Sequence, residues 1–171
     1  MKTKTFFVAV LTAALSLQAA DPIQPDHTKT PGDVFSNVTV EQICTPGYAN
    51  GSDVTNDGHG VRYVPRSIKW AVFRAYFETV PDKTGNYEID HLISLELGGS
   101  NDPKNLWPES YLTDPYNAHV KDKLENRMHA LVKKCLKTQG HAAATAMLKQ
   151  FQQEIATDWV AAYHKYVSTT P

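Results

Sequence analysis

The sequence predicts an α+β protein, mainly helical, built around a central β-hairpin plus helix and flanked by an N-terminal helix and a long C-terminal helix. Three observations carry this. In the stretch 87–91, Glu88 and Asp90 alternate with Tyr87, Ile89 and His91, the period of a strand. Turn signals follow at Gly98-Gly99 and Asn101-Asp102-Pro103, before a short apolar run at Leu106-Trp107. Apolar residues also recur at helical spacing before the hairpin, after it and towards the C-terminus.

Residues 1–20 read as a secretory signal peptide. Lys2 and Lys4 give a charged start, and Phe6 to Leu17 is apolar but too short to span a bilayer. Leu17-Gln18-Ala19-Ala20 then puts small residues at a cleavage point. The expected mature product is secreted or periplasmic, without a membrane anchor, and monomeric. Losing Lys2 and Lys4 takes the formal charge from −1 to −3, which argues against a strongly basic nucleic-acid coat.

Residues 21–60 are expected to be an extended, loop-rich segment, and 21–37, with Pro22, Pro25 and Pro31 among polar residues, reads as an extended or disordered lead-in. Thr39-x-x-Gln42 has the pattern of a capping box for a short helical turn that carries Cys44. Residues 45–60 read as a surface loop, with His59 solvated in it. Cys44 and Cys135 are the only cysteines, and in an oxidising compartment a lone pair is most simply a disulfide. Closing so long a loop would stabilise the chain by about 4 kcal/mol on the chain-entropy model. Two buried free thiols are the alternative.

Residues 61–171 are expected to form the main domain. Pro65 opens a helix running to about Phe77, with Ile68, Val72, Phe73 and Tyr76 at helical spacing and Arg66, Lys69 and Arg74 beside them. Those three cations are either a solvated face or a phosphate-contacting edge. After the hairpin, Asp114 as cap and Pro115 as first residue open a helix reaching Leu136. At about 100° per residue, Tyr116, Val120, Leu124, Met128, Leu131 and Cys135 share a face, with Asn117 in its middle. Lys121 lies one turn on, near that side. His119, Asp122, Glu125, Asn126 and His129 fall opposite. Gly140 ends the helix, and a last helix from about Ala142 to Tyr166 repeats Met147, Phe151, Ile155, Trp159 and Tyr163 every fourth residue.

The Asp90-His91 pair closing the first strand, the Gly98-Gly99 turn, Asn105-Leu106 opening the second strand and Asn117-x-x-x-Lys121 on the helix occur in an order that resembles the HNH, or ββα-metal, nuclease family. The resemblance covers Tyr87 to Leu124, under a quarter of the chain, and its flanks are similar to those of small secreted bacterial proteins carrying this motif. It implies a metal-dependent endonuclease that hydrolyses phosphodiester bonds of DNA or RNA with low sequence preference. A neutral histidine near pH 7 can take a proton from water, so His91 is the expected general base. The resemblance makes Asp90 a metal ligand and Asn105 the residue orienting His91. Asn101 competes for that orienting role, but its Asn-Asp-Pro sequence suits a turn. Asp90 and the Asn117 carbonyl are hard oxygen donors suited to Mg²⁺, with Mn²⁺ or Zn²⁺ as alternatives. Many family members carry histidine where this chain has Asn117. Lys121 is the expected substrate contact, on a phosphate. Glu96 is read equally as a supporting carboxylate or as an exposed loop charge. The alternative function is a non-enzymatic secreted module binding a metal or an envelope component, which the acidic mature charge favours.

Overall fold

The computed structural model describes residues 23–50, 61–77 and 80–168. The signal-peptide reading and His59 lie outside them. The fold is α+β and mainly helical: α1 (Val40–Cys44), α2 (Arg66–Phe77), β1 (Tyr87–His91), β2 (Leu106–Ser110), α3 (Ala118–Gln139) and α4 (His141–Tyr163). The two strands form one antiparallel hairpin in the register Glu88 opposite Glu109 and Asp90 opposite Trp107. Among the described residues, no helix is long and apolar enough to cross a membrane.

The core lies between α3, α4, α1 and the hairpin loop. Leu124, Met128, Val132 and Cys135 on α3 meet Leu148, Phe151, Ile155 and Trp159 on α4, and Val40, Ile43 and Tyr48 close the same cluster. One residue, Gly140, joins α3 to α4 with φ +83°, a conformation that favours glycine. The Thr39 capping box is present in both directions: Gln42 N donates to the threonine hydroxyl, and Thr39 N donates to the Gln42 side chain.

The loop between the strands is irregular but fully tied. Asn105 is completely buried. Its Oδ1 accepts from Ile93 N at 2.9 Å and Asp33 N at 3.3 Å. Its Nδ2 donates to the carbonyls of Ile93 and Ser100, each at 2.9 Å. Both members of the Gly98-Gly99 pair are required. Gly98 has φ +79°, and a Cβ on Gly99 would sit 1.7 Å from the Ile93 carbonyl oxygen.

Three expectations are corrected. The N-terminal segment is extended but not disordered: Gly32 N donates to Lys104 O, Phe35 N to Gly98 O and the Thr30 hydroxyl to Leu106 O. An irregular loop leaves backbone groups that need partners, and this segment supplies them. The α3 helix begins at Ala118 with Asn117 as its cap, not at Asp114 and Pro115. Glu125 and His129, on the face opposite the apolar one, are nevertheless half-buried; His129 Nε2 lies 3.1 Å from the Ile43 carbonyl. Cys44 and Cys135 are both free thiols, so the expected disulfide is not formed. Both pack in or against the apolar core, where a thiol behaves as a small hydrophobe, and burial pushes the Cys44 thiol pKa up.

Asn105→Ala strands four backbone groups at once, the three at Ile93 and Ser100 in buried bonds. Urea denaturation is expected to show a loss of about 3–4 kcal/mol; a loss under about 1 kcal/mol would contradict its role in pinning the loop.

Candidate functional site

Three carboxylates share one face of the hairpin. Alternation puts Glu88 and Asp90 on the same side of β1, and the register puts Glu109 of β2 beside them. Their oxygens lie within 4.8 Å of one another. Like charges this close repel, and the fold answers with one buried cation. Lys121 of α3 is 1% exposed, and its Nζ donates to Asp90 Oδ2 at 2.6 Å, to the His91 carbonyl at 2.8 Å and to Glu125 Oε1. An ammonium has three donors, and all three are committed. Burying it would cost several kcal/mol without these partners.

The carboxylates respond differently. Burial opposes ionisation of Asp90, but the Lys121 ammonium wins and holds its pKa below the ordinary value. Burial pushes Glu109 well up, the Asp90 carboxylate beside it adds to the rise, and among the described residues no N–H donor reaches either of its oxygens. Burial, with Asp90 close by, raises Glu88. Burial pushes Glu125 up to about 8 against the pull of Lys121. One ammonium does not satisfy this many acids, and Asp90 takes most of its benefit.

His91 ends β1 and is 7% exposed. Its Nε2 lies 2.9 Å from Asn101 Oδ1, while Asn101 Nδ2 donates to Val61 O at 2.9 Å. The second bond fixes which way the amide faces. An amide oxygen only accepts, so Nε2 must carry the proton and Nδ1 keeps its lone pair. Burial lowers the His91 pKa, partly offset by Asp90, so the ring is neutral at pH 7. The result is a held imidazole with a basic nitrogen.

His91 lines a cleft of about 140 Å³ together with Glu88, Asp90, Glu96, Asp122 and Glu125, and among the described residues Arg62 is the one Lys or Arg on its wall. The buried hydroxyl of Ser94 also lines it and has no hydrogen-bond partner. The rim is therefore acidic.

Several expected roles change. Asp90 and His91 do come together, at one wall of the cleft. Asn117 does not join them: its Oδ1 accepts from Val120 N at 3.2 Å and its Nδ2 donates to Thr113 O at 3.1 Å, so its amide is spent capping α3. Asn105 holds the loop, and Asn101 is the partner of His91. The Asn101 turn is what brings that amide to the ring. Lys121 is buried against carboxylates and is not free to meet a phosphate. Glu96 lines the cleft and pairs with His129 Nδ1 at 3.5 Å. Arg66, Lys69 and Arg74 are exposed and do not line the cleft. Glu88, Glu109, Glu125 and Arg62 went unread. A signal existed for two of them: Glu88-x-Asp90 is a period-two pair, and Lys121-x-x-x-Glu125 is a helical ion pair. Glu109 needed the hairpin register.

No family model, curated protein or solved structure matches the chain.

The raised Glu125 pKa predicts a pH dependence. The folded state keeps a proton that the unfolded chain, with its ordinary glutamate near 4.3, releases. Stability from this group is therefore present below about pH 4 and lost as pH rises towards about 8. His91, with its lowered pKa, acts in the opposite sense at and below about pH 6.5. Thermal or urea unfolding from pH 5 to 8 should show Glu125→Gln gaining on the wild type by on the order of 1–3 kcal/mol. Parallel pH profiles for the two proteins would contradict this.

Proposed function

We propose that the chain is a secreted, divalent-metal-dependent phosphodiester hydrolase of the HNH type, cutting DNA or RNA with low sequence preference. In this reading β1, β2 and α3 form the ββα-metal unit. The observation that carries it is the His91 ring: neutral, held through Nε2, with Nδ1 basic, on the wall of a carboxylate-lined cleft.

The chain's own residues account for the proton path. A water in the cleft gives its proton to His91 Nδ1 as its oxygen bonds to phosphorus; the P–O bond to the leaving oxygen breaks, and that oxygen takes a proton from solvent. The imidazolium that forms keeps its Nε2–H bond to Asn101, and the Asp90 carboxylate beside it stabilises the new positive charge. Asn101 is a positioning residue, braced in turn by Val61 O. Arg62 is the cation on the cleft wall able to meet a phosphate oxygen, the role expected of Lys121. A divalent cation on Asp90 and its neighbouring carboxylates would supply charge opposite the phosphate and the leaving oxygen. The orphaned oxygens of Glu109 support the fit of such an ion; the committed amide of Asn117 argues against its place in the ligand set.

A second reading has its own support. Five carboxylates and one arginine line the cleft, and nonspecific binding of a polyanion is largely electrostatic. That rim favours a secreted module that binds a cation without cleaving anything.

Plasmid nicking and RNA degradation with Mg²⁺ or Mn²⁺ separate the two. The enzyme reading predicts cleavage that falls roughly 10²–10⁴-fold in His91→Ala, with a smaller loss in Asn101→Ala. No cleavage of either nucleic acid, or equal activity in wild type and His91→Ala, would remove His91 from the mechanism.

A further inference from the structure

We propose that Glu88, Asp90 and Glu109 together form a seat for one hard divalent cation, on the hairpin face and without a ligand from the start of α3. The reading above uses a cation at Asp90; this inference rests on it only for what the ion does in a reaction. The seat itself stands on the three carboxylates.

Four observations converge. Glu109 is 2% exposed, and among the described residues nothing outside the carboxylate group reaches either of its oxygens; its neighbour there is the Asp90 carboxylate. Such a group inside a protein calls for a cation or a proton. Lys121 does not provide the charge, because its three donors already go to Asp90, His91 O and Glu125. Lys121 bonds one oxygen of Asp90, Oδ2, and a carboxylate has lone pairs beyond that bond. All three residues offer oxygens within 4.8 Å of one another. Two oxygens on one ion stand at most twice the metal–oxygen distance apart, about 4.6–5.2 Å for Ca²⁺ and about 4.0–4.2 Å for Mg²⁺, so the separation is of the size at which three carboxylates meet one hard cation. Finally, Glu88 and Asp90 also line the cleft, which gives the ion a route in and leaves room for water or phosphate on its open side.

The donor set is all carboxylate oxygen. That favours Mg²⁺, Mn²⁺ or Ca²⁺ over Zn²⁺ or Cu²⁺, which prefer imidazole or thiolate. The rival occupant is a proton shared between Asp90 and Glu109, and a pair closed in that way would take up no cation.

Titration calorimetry with Mn²⁺ and Ca²⁺, on the full mature chain and without nucleic acid, tests the seat. Wild type should bind one ion. Glu109→Gln should bind at least tenfold more weakly, whereas Asp82→Asn, which removes an exposed carboxylate elsewhere, should bind within about threefold of wild type. Glu109→Gln should melt no lower than wild type in the metal-free state, which shows that it folds. No binding by wild type, or equal binding by Glu109→Gln, would overturn the proposal. Metal uptake without cleavage would keep the seat and discard the reaction. Cleavage that requires Mg²⁺ or Mn²⁺ but is unchanged in Glu109→Gln would keep the reaction and discard the seat.

Discussion

The buried ammonium of Lys121 ties the hairpin to α3. Its three donors reach a strand carboxylate, the carbonyl at the strand end and a carboxylate one helical turn further along its own helix. Without a cation there, the carboxylate face of the hairpin would meet the acids of α3 across a low-dielectric gap. Removing one partner of a buried ion cluster typically costs about 3–5 kcal/mol, because the remaining charges lose their compensation. The same bonds fix the direction of Asp90 and the backbone of His91, so the arrangement that steadies the fold also sets up the cleft.

A second constraint acts from the other side. Asn105 and the Gly98-Gly99 pair hold the loop in one path, with the glycine backbone close to Ile93 O and the asparagine amide bonded to both sides of the turn. That path carries Asn101 to the His91 ring. The ordering of the N-terminal segment belongs to the same arrangement, since Asp33 N donates to Asn105 and the Asp33 carboxylate accepts from the Ser100 hydroxyl at 2.5 Å. A neutral, oriented imidazole is thus the end product of a loop held by backbone bonds as well as by the burial of Leu92, Ile93, Leu95 and Leu97 in the core.

Much of the fold was legible because local signals agreed with tertiary ones. The period-two alternation of Tyr87–His91, the Thr39 capping box and the fourfold repeat from Met147 to Tyr163 each name an element that forms. The failures share a cause. Asn117 and Asn105 were read from their order in a motif, yet an amide serves a metal, a ring, a helix end or a loop equally well, and only long-range geometry chooses. Lys121 was placed near the strands correctly, but a sequence does not reveal that three acceptors will surround it. Glu109 was invisible because its neighbourhood depends on a register set across the 14-residue span from Leu92 to Asn105.

The central claim is that a carboxylate face, only partly neutralised by Lys121, is built to receive a cation. Anomalous diffraction from crystals soaked in Mn²⁺ tests it most directly. The account predicts a single strong peak bounded by Glu88, Asp90 and Glu109, with Lys121 still bonded to Asp90 and Asn117 still capping α3. A peak ligated by the Asn117 amide, or no peak at the hairpin face, would contradict it.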